Sequence, residues 1–388
     1  MRVFLGIAML MVLFPFLAWI IGLWALAVRS LFPKTTPAAT SQTPYFAIII
    51  PAHNEGEIIR QTVEKILACD YPRDRFSLNL VADNCDDDTA EIARKAGANV
   101  LIRFDREKPG KGHALAYALE SLKDEPCDAV LFLDADSSPE SDYLRVMASY
   151  RVRGDVMIQG RYEVNEPNRN WFTRLTSTSF VLRNRWQFPA CDALGLTLPL
   201  RGSGMCFERS LIYRLGWQAH GLTEDMEMTL KLIREKIPVS FAARAVSRQF
   251  MPATPTQAKT QRQRWSAGEH NVRKIIVRNE IPDALRRRDP RAALSLVLMA
   301  APPFSLQLCL ALALLFPALL AGGLAVKLSL LTLGLFAGYF FLGLERLDKQ
   351  GVAAAAMLPF FALWRVGIYL AALFRKPAEW IRTARTGK

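Results

Sequence analysis

Apolar residues are bunched rather than spread along this chain. Residues 3–28, 292–344 and 352–374 form three apolar blocks, the second interrupted by Lys327 and Gly322-Gly323. Each is at least as long as the about 20 residues that cross a hydrocarbon core. The pattern therefore predicts a membrane protein with a water-facing domain between its first and second blocks. The first block is too long for the apolar core of a secretory signal, and Arg29 and Lys34 follow it instead of a small-residue cleavage site. It is expected to be a retained span over residues 1–30, with 31–44 as a Pro- and Thr-containing linker.

From Tyr45 the pattern changes. Short apolar runs at 46–50, 78–82, 100–103 and 130–133 predict strands, with two more at 156–160 and 239–242. Runs of helical period fall between and after them, at 58–68, 89–96, 114–122, 172–186 and 224–235. Strand and helix alternating at this spacing give βαβ units, hence an α/β domain with a mostly parallel sheet over residues 45–291. Right-handed crossovers then bring the strand ends to one rim.

That rim is where charge gathers. Val130–Leu133 runs into Asp134 and Asp136, and side chains two apart on a strand point the same way. Open α/β sheets place ligands at such strand ends. Two neighbouring carboxylates repel unless a cation lies between them, and a hard divalent ion carrying a phosphate would serve. A solvated turn that happens to carry acids is the competing reading. Asn54 and Glu55 follow the first strand, Asp83 and Asp87 the second, and Lys111 sits in the loop Lys108–Gly112. Thr223-Glu224-Asp225 opens a helix, where an N-cap and the helix dipole could account for the acids without chemistry. Gln261-Arg262-Gln263-Arg264-Trp265 combines guanidinium forks with an aromatic face, a pairing suited to phosphate and sugar. A juxtamembrane charge run is the alternative there.

The formal net charge of +13 would suggest nucleic acid, but its distribution points elsewhere. Basic residues cluster at 259–291, before the second apolar block, and at 375–388, after the last. Such clusters mark the cytoplasmic side of spans and meet anionic lipid there. No nucleic-acid motif accompanies them, so no nucleic-acid partner is expected. Six cysteines without a C-x-x-C pair and four scattered histidines imply neither a disulfide framework nor a zinc site.

Taken in order, P-x-x-N-E at 51–55, Asp83 with Asp87, G-K-G at 110–112, D-A-D at 134–136, T-E-D at 223–225 and Q-R-Q-R-W at 261–265 resemble the inverting family 2 glycosyltransferases. The order is especially similar to the membrane-embedded synthase branch, which includes cellulose, chitin, hyaluronan, poly-N-acetylglucosamine and nodulation-type chito-oligosaccharide synthases. The resemblance covers residues 45–270 and implies a GT-A fold, a nucleotide-sugar donor, most simply a uridine diphosphate sugar, and Mg2+ or Mn2+. By the same resemblance Glu55, Asp83 and Lys111 would contact the donor, and Asp134 and Asp136 would hold the metal on its diphosphate. Asp225 would be the general base, with Glu224 beside it. Gln261, Arg264 and Trp265 would hold the diphosphate and the acceptor sugar, over a small-residue loop at Gly202, Ser203 and Gly204. Residues 82–85 depart from the pattern, reading Ala-Asp-Asn-Cys where many relatives carry Asp-Asp-Gly-Ser.

The implied function is transfer of a sugar with inversion to a saccharide or lipid acceptor at the membrane, first as a processive or semi-processive synthase in exopolysaccharide or cell-envelope glycan synthesis. Single transfer to a lipid is the alternative, and a non-catalytic nucleotide-sugar-binding protein a third. The C-terminal membrane region is short for a wide polysaccharide channel, so an exported polymer would call for partner subunits. Nucleotide sugars put the domain in the cytoplasm, at the inner membrane. The basic tail at 375–388 also belongs there, which requires an even number of spans after the domain, whereas three blocks are counted. Either 292–301, cut off by Pro302-Pro303, or 352–374, with Pro359 and Arg365, is then expected to be interfacial or re-entrant. An arginine at membrane depth is costly and usually functional.

Overall fold

The computed structural model describes residues 2–374; the basic tail at 375–388 lies outside the described residues. Its centre is one eight-stranded sheet. In chain order the strands are β1 (Phe46–Ala52), β2 (Phe76–Asp83), β3 (Asn99–Arg103), β4 (Ala129–Phe132), β5 (Ser137–Pro139), β6 (Met157–Val164), β7 (Met205–Glu208) and β8 (Ser240–Gln249). Their spatial order is β3-β2-β1-β4-β7-β6-β8-β5. The β3-β2-β1-β4 half is wholly parallel, as its βαβ pattern predicts. Beyond it, β7 runs antiparallel to both β4 and β6, β6 and β8 are parallel, and β5 is antiparallel to β8. The sheet is thus mixed and mostly parallel. The six runs read as strands are strands; the short β5 and β7 were not anticipated.

Ile48, Ile49, Ile50, Leu131 and Phe132 are fully buried, as expected of strands covered on both faces. One face packs on Ile59, Val63 and Ile66 of the Ile59–Leu67 helix, the other on Leu115 and Ala118 of the Lys111–Ser121 helix. The expected 172–186 helix is Trp171–Val181 continued through a π-helical turn, Leu182–Gln187. The segment 31–44 is pinned to the domain, since Tyr71 donates to the Pro44 carbonyl (2.6 Å) and Arg75 to that of Thr43 (2.7 Å).

Among the described residues four helices are long and apolar enough to cross a membrane: Phe4–Ser30, Phe304–Ala321, Gly323–Leu344 and Lys349–Ala372. The first packs between the next two through Leu17, Ile20, Leu308 and Phe336. Trp19 Nε1 donates to Gln307 Oε1 at 2.6 Å, and Trp24 Nε1 to the Leu335 carbonyl at 3.1 Å. The Pro290–Ala300 helix is shorter. Its Leu296 and Met299 pack on Leu230, Ile233 and Ile276, so it rests on the sheet domain. The Lys349–Phe374 helix lies against Trp171–Val181, with Phe172 edge-on to Phe361 (5.6 Å) and Trp364 (5.3 Å).

Candidate active site

The carboxyl ends of β1 and β4 open into a cleft of about 380 Å³. Its walls include Glu55, Lys111, Asp134, Asp136, Gly202, Glu224, Asp225, Gln261, Arg264 and Trp265, so ten of the residues singled out in the sequence meet there. Asp83, Ser203 and Gly204 are not on its walls.

Lys111 is the centre of the charge arrangement. It begins the Lys111–Ser121 helix instead of lying in a loop. Its Nζ donates to Asp134 Oδ1 (2.6 Å) and to the Gly202 carbonyl (2.8 Å), and it lies 3.0 Å from Glu224 Oε1. Burial disfavours its charge, but Asp134 and Glu224 outweigh that and raise its pKa. Gly202 has φ +74°, and a Cβ there would sit 3.1 Å from the Lys111 Nζ, so glycine serves both the turn and the approach.

Asp134 is fixed from several directions. Its backbone N–H donates to Ser203 Oγ (3.1 Å), and Gln249 Nε2 donates to its Oδ2 (3.2 Å). Ser203 therefore lies beneath the acid it supports, and Gly204 N–H donates to the Phe132 carbonyl, in register with the sheet. Asp136 is 6% exposed and lines the same cleft. Among the described residues no three His, Cys, Asp or Glu side chains gather into a metal cluster. A Mg2+-like ion needs no such cage, because one or two carboxylates with substrate phosphates and water complete its shell. Asp134 and Asp136 on one wall fit that donor set.

Glu224 and Asp225 stand in the first turn of their helix, where the dipole favours acids, and Asp225 Oδ1 accepts from Met226 N–H at 2.8 Å. Thr223 occupies the N-cap position but its side chain makes no capping bond, and its Oγ1 is buried without a partner among the described residues. Glu224 turns to Lys111. Asp225 is raised from 3.8 to about 7 by burial and then by Glu224, with Arg201 and Lys111 opposing. The Pro255–Ile275 helix closes the cleft from the side. It approaches Thr223 through Gly268, where a Cβ would fall 2.6 Å from the threonine methyl. On this helix the Gln261 Oε1 is buried without a partner among the described residues, and the Arg262 guanidinium lies over the Trp265 ring, at 5.0 Å.

Asp83 is 1% exposed and gives its Oδ1 to Arg103 at 2.5 Å. Its Oδ2 accepts from Gly110 N–H (3.4 Å) and its carbonyl from His53 Nδ1 (2.7 Å). In this arrangement it braces the loop before Lys111. Asp87 accepts from Thr89 N–H (3.0 Å) and Gly56 N–H (3.1 Å), tying two loops together. Arg103→Leu would leave Asp83 buried and unpaired. It is expected to destabilise the domain by about 3–5 kcal/mol, read as a lowered unfolding midpoint, whereas Arg106→Leu, at a surface pair with Asp86, should leave the midpoint unchanged.

Tyr162, Arg201, His220, Gln249 and Glu269 also line the cleft or hold its acids. Arg201 opens the small-residue loop singled out in the sequence; nothing local marks the other four, which the fold assembles from separate elements.

The acid-lined cleft lies at the strand ends of a mixed α/β sheet, where such sheets place their ligands. Residues 44–268 match the family described as glycosyltransferase like family 2, and the chain belongs to that family. A probable glycosyltransferase of Bacillus subtilis, YdaM, is 26% identical over 243 residues, 60% of this chain and 56% of that protein. The beta-monoglucosyldiacylglycerol synthase of Trichormus variabilis is 26% identical over 267 residues, 65% of this chain and 55% of that protein. The match thus spans about half the length of these curated relatives. Among solved structures, the Pyrobaculum calidifontis mannosyltransferase PcManGT, in complex with GDP-Man and Mn2+, superposes with a TM-score of 0.57 at 19% identity, covering 96% of this chain and 99% of that one. The fold is GT-A-like.

Proposed function

We propose that this protein transfers a sugar from a nucleoside-diphosphate donor to an acceptor hydroxyl at the membrane, inverting the anomeric centre. The observation that carries this is Asp225, an acid raised to about 7, on one cleft with Asp134, Asp136 and Lys111. A carboxylate titrating near neutrality suits a general base. Asp225 takes the acceptor proton as the acceptor oxygen bonds to the anomeric carbon, and the bond from that carbon to the diphosphate breaks. Lys111 and Arg264 face the charge that develops on the leaving group. Asp134 and Asp136 would hold Mg2+ or Mn2+, which when bound would neutralise diphosphate charge. The cleft has no second carboxylate assigned as a covalent nucleophile, so a single displacement is the direct route.

The catalytic domain would face the cytoplasm, where nucleotide sugars are made. A single transfer to a lipid competes with polymer synthesis, and similarity to the monoglucosyldiacylglycerol synthase favours the lipid. Purified full-length protein with a panel of labelled nucleotide sugars tests the proposal. Label should appear in a lipid extract or in polymer with one donor preferred; donor binding without any turnover would establish a non-catalytic binding protein instead.

A further inference from the structure

Where the sheet domain meets the apolar helices, one carboxylate lies within the electrostatic influence of five arginines. Arg183 comes from the π-helical turn, Arg201 from the loop before β7, Arg262 and Arg273 from the Pro255–Ile275 helix, and Arg365 from the middle of the Lys349–Phe374 helix. The carboxylate is Glu269, whose ion pair is with Arg273, at 2.8 Å. Among the described residues the other four arginines have no carboxylate within 4 Å. Arg262, Glu269 and Arg273 fall at i, i+7 and i+11, on one stripe of their helix. That helix meets the Lys349–Phe374 helix, with His270 edge-on to Tyr369 at 6.4 Å, one turn from Arg365.

The cluster is half-buried and short of acceptors. Arg365 Nη1 and Arg273 Nε and Nη1 are buried with no hydrogen-bond partner among the described residues. Burial, followed by Arg201 for Arg183 and by Arg365 for Arg262, pushes both guanidinium groups down to about 9, still charged at neutral pH. Burial works against ionised Glu269, yet Arg273 and Arg183 hold its carboxyl below the usual range. Arg201 also faces Asp225, so four cations against one anion leave +3 in a place where unpaired charge is expensive. Something anionic completes it.

The surroundings narrow what that is. Arg201 and Glu269 line the catalytic cleft, so the cluster is continuous with it. On the helix that carries Arg365, Phe361 and Trp364 pack against Phe172 and make an aromatic wall. Arg273 lies nine residues beyond Arg264, about 13 Å along the helix axis, on the side of the apolar helices. A neutral diglyceride offers the arginines nothing to pair with, whereas phosphate oxygens match guanidinium forks.

We propose that this arginine cage binds the phosphate of a membrane lipid that also carries a free hydroxyl, and that this lipid is the acceptor. Its phosphate sits among Arg273 and Arg365, its tail against the apolar helices, and its hydroxyl reaches Asp225. The inference rests on the transferase reading above. The hydroxyl proton passes to Asp225, the hydroxyl oxygen bonds to the sugar, and the nucleoside diphosphate leaves; the lipid phosphate itself is unchanged.

The test uses full-length protein in phosphatidylcholine nanodiscs doped with phosphatidylglycerol, with a farnesyl-diphosphate-linked sugar, or with diacylglycerol, and compares wild type with Arg273→Gln and Arg365→Gln. Label should enter one of the two phosphate lipids and not diacylglycerol, and which one it enters identifies the source of the phosphate. Each substitution should raise the acceptor KM by roughly tenfold to a hundredfold, the worth of a charge-assisted hydrogen bond, with donor KM and acceptor-free donor hydrolysis unchanged. Arg365→Lys, which keeps the charge, should recover part of the loss even if Arg365→Gln folds poorly. Native mass spectrometry of the same lipids gives a readout without turnover. Equal use of diacylglycerol, or variants that shift the donor KM instead, would overturn the cage while leaving the transferase standing. Arginine-dependent lipid binding with no donor turnover would keep the phosphate site and overturn its acceptor role together with the transferase reading.

Discussion

Asp225→Asn should lower sugar transfer by roughly 10²–10⁴-fold, the usual contribution of a positioned base, and leave donor binding intact. Asn keeps the shape of the side chain but cannot take a proton. Asp225 is raised to about 7, so the wild-type rate should climb with pH through about 7 and level off above it. The residual activity of the Asn variant should lack that step. Stability moves the opposite way. Because its folded pKa exceeds the unfolded value, the folded chain holds more protons between about 4 and 7, and ionising Asp225 over that window weakens the fold. The Asn variant should therefore be at least as stable as wild type at pH 8. Initial rates from pH 5.5 to 9, donor binding by calorimetry and thermal midpoints test all three. A variant that retains the wild-type rate and pH step would remove Asp225 from the role of base.

Asp136→Ala should abolish transfer and, with it, the metal dependence of donor binding. Asp134 already accepts from Lys111 and Gln249, so its charge is partly satisfied by the protein. Asp136, buried on the same cleft wall, is the other carboxylate of the pair proposed to hold the ion. Losing one of two anions from a hard-cation site with so few protein ligands removes much of its attraction. Titrating donor with and without Mn2+ gives the measurement. Donor affinity should rise with Mn2+ in wild type and stay flat in the variant, at an unchanged unfolding midpoint. A variant that still responds to Mn2+ like wild type would place the ion elsewhere.

Much of this architecture is legible from residue pattern. The parallel half of the sheet follows from apolar runs at regular spacing, and Asp134 and Asp136 fall at the rim because a buried strand must end there. β7 escapes notice because Met205–Glu208 is four residues long, follows a glycine loop, and gains its meaning only by lying between β4 and β6. The fate of Asp83 is likewise invisible in sequence, since its partner Arg103 is twenty residues away on a neighbouring strand. The arginine cage is the extreme case. Its members come from a π-turn, a loop and two helices, and Arg365 carries a local signal only through being out of place in an apolar run.

The Trp19–Gln307 hydrogen bond joins residues 288 apart, at the two ends of the catalytic domain. During synthesis at about 5–20 residues per second, the first membrane helix waits roughly 15–60 s for its partner. Throughout that interval the whole sheet domain emerges and can fold while tethered by a single helix, with the indole of Trp19 unmatched in the bundle. Completion of the membrane bundle thus comes after the sheet domain has been synthesised and not before it. A chain cut short after the sheet domain would be anchored, and could hold a folded cleft, yet would lack Arg365 and the apolar wall beside it.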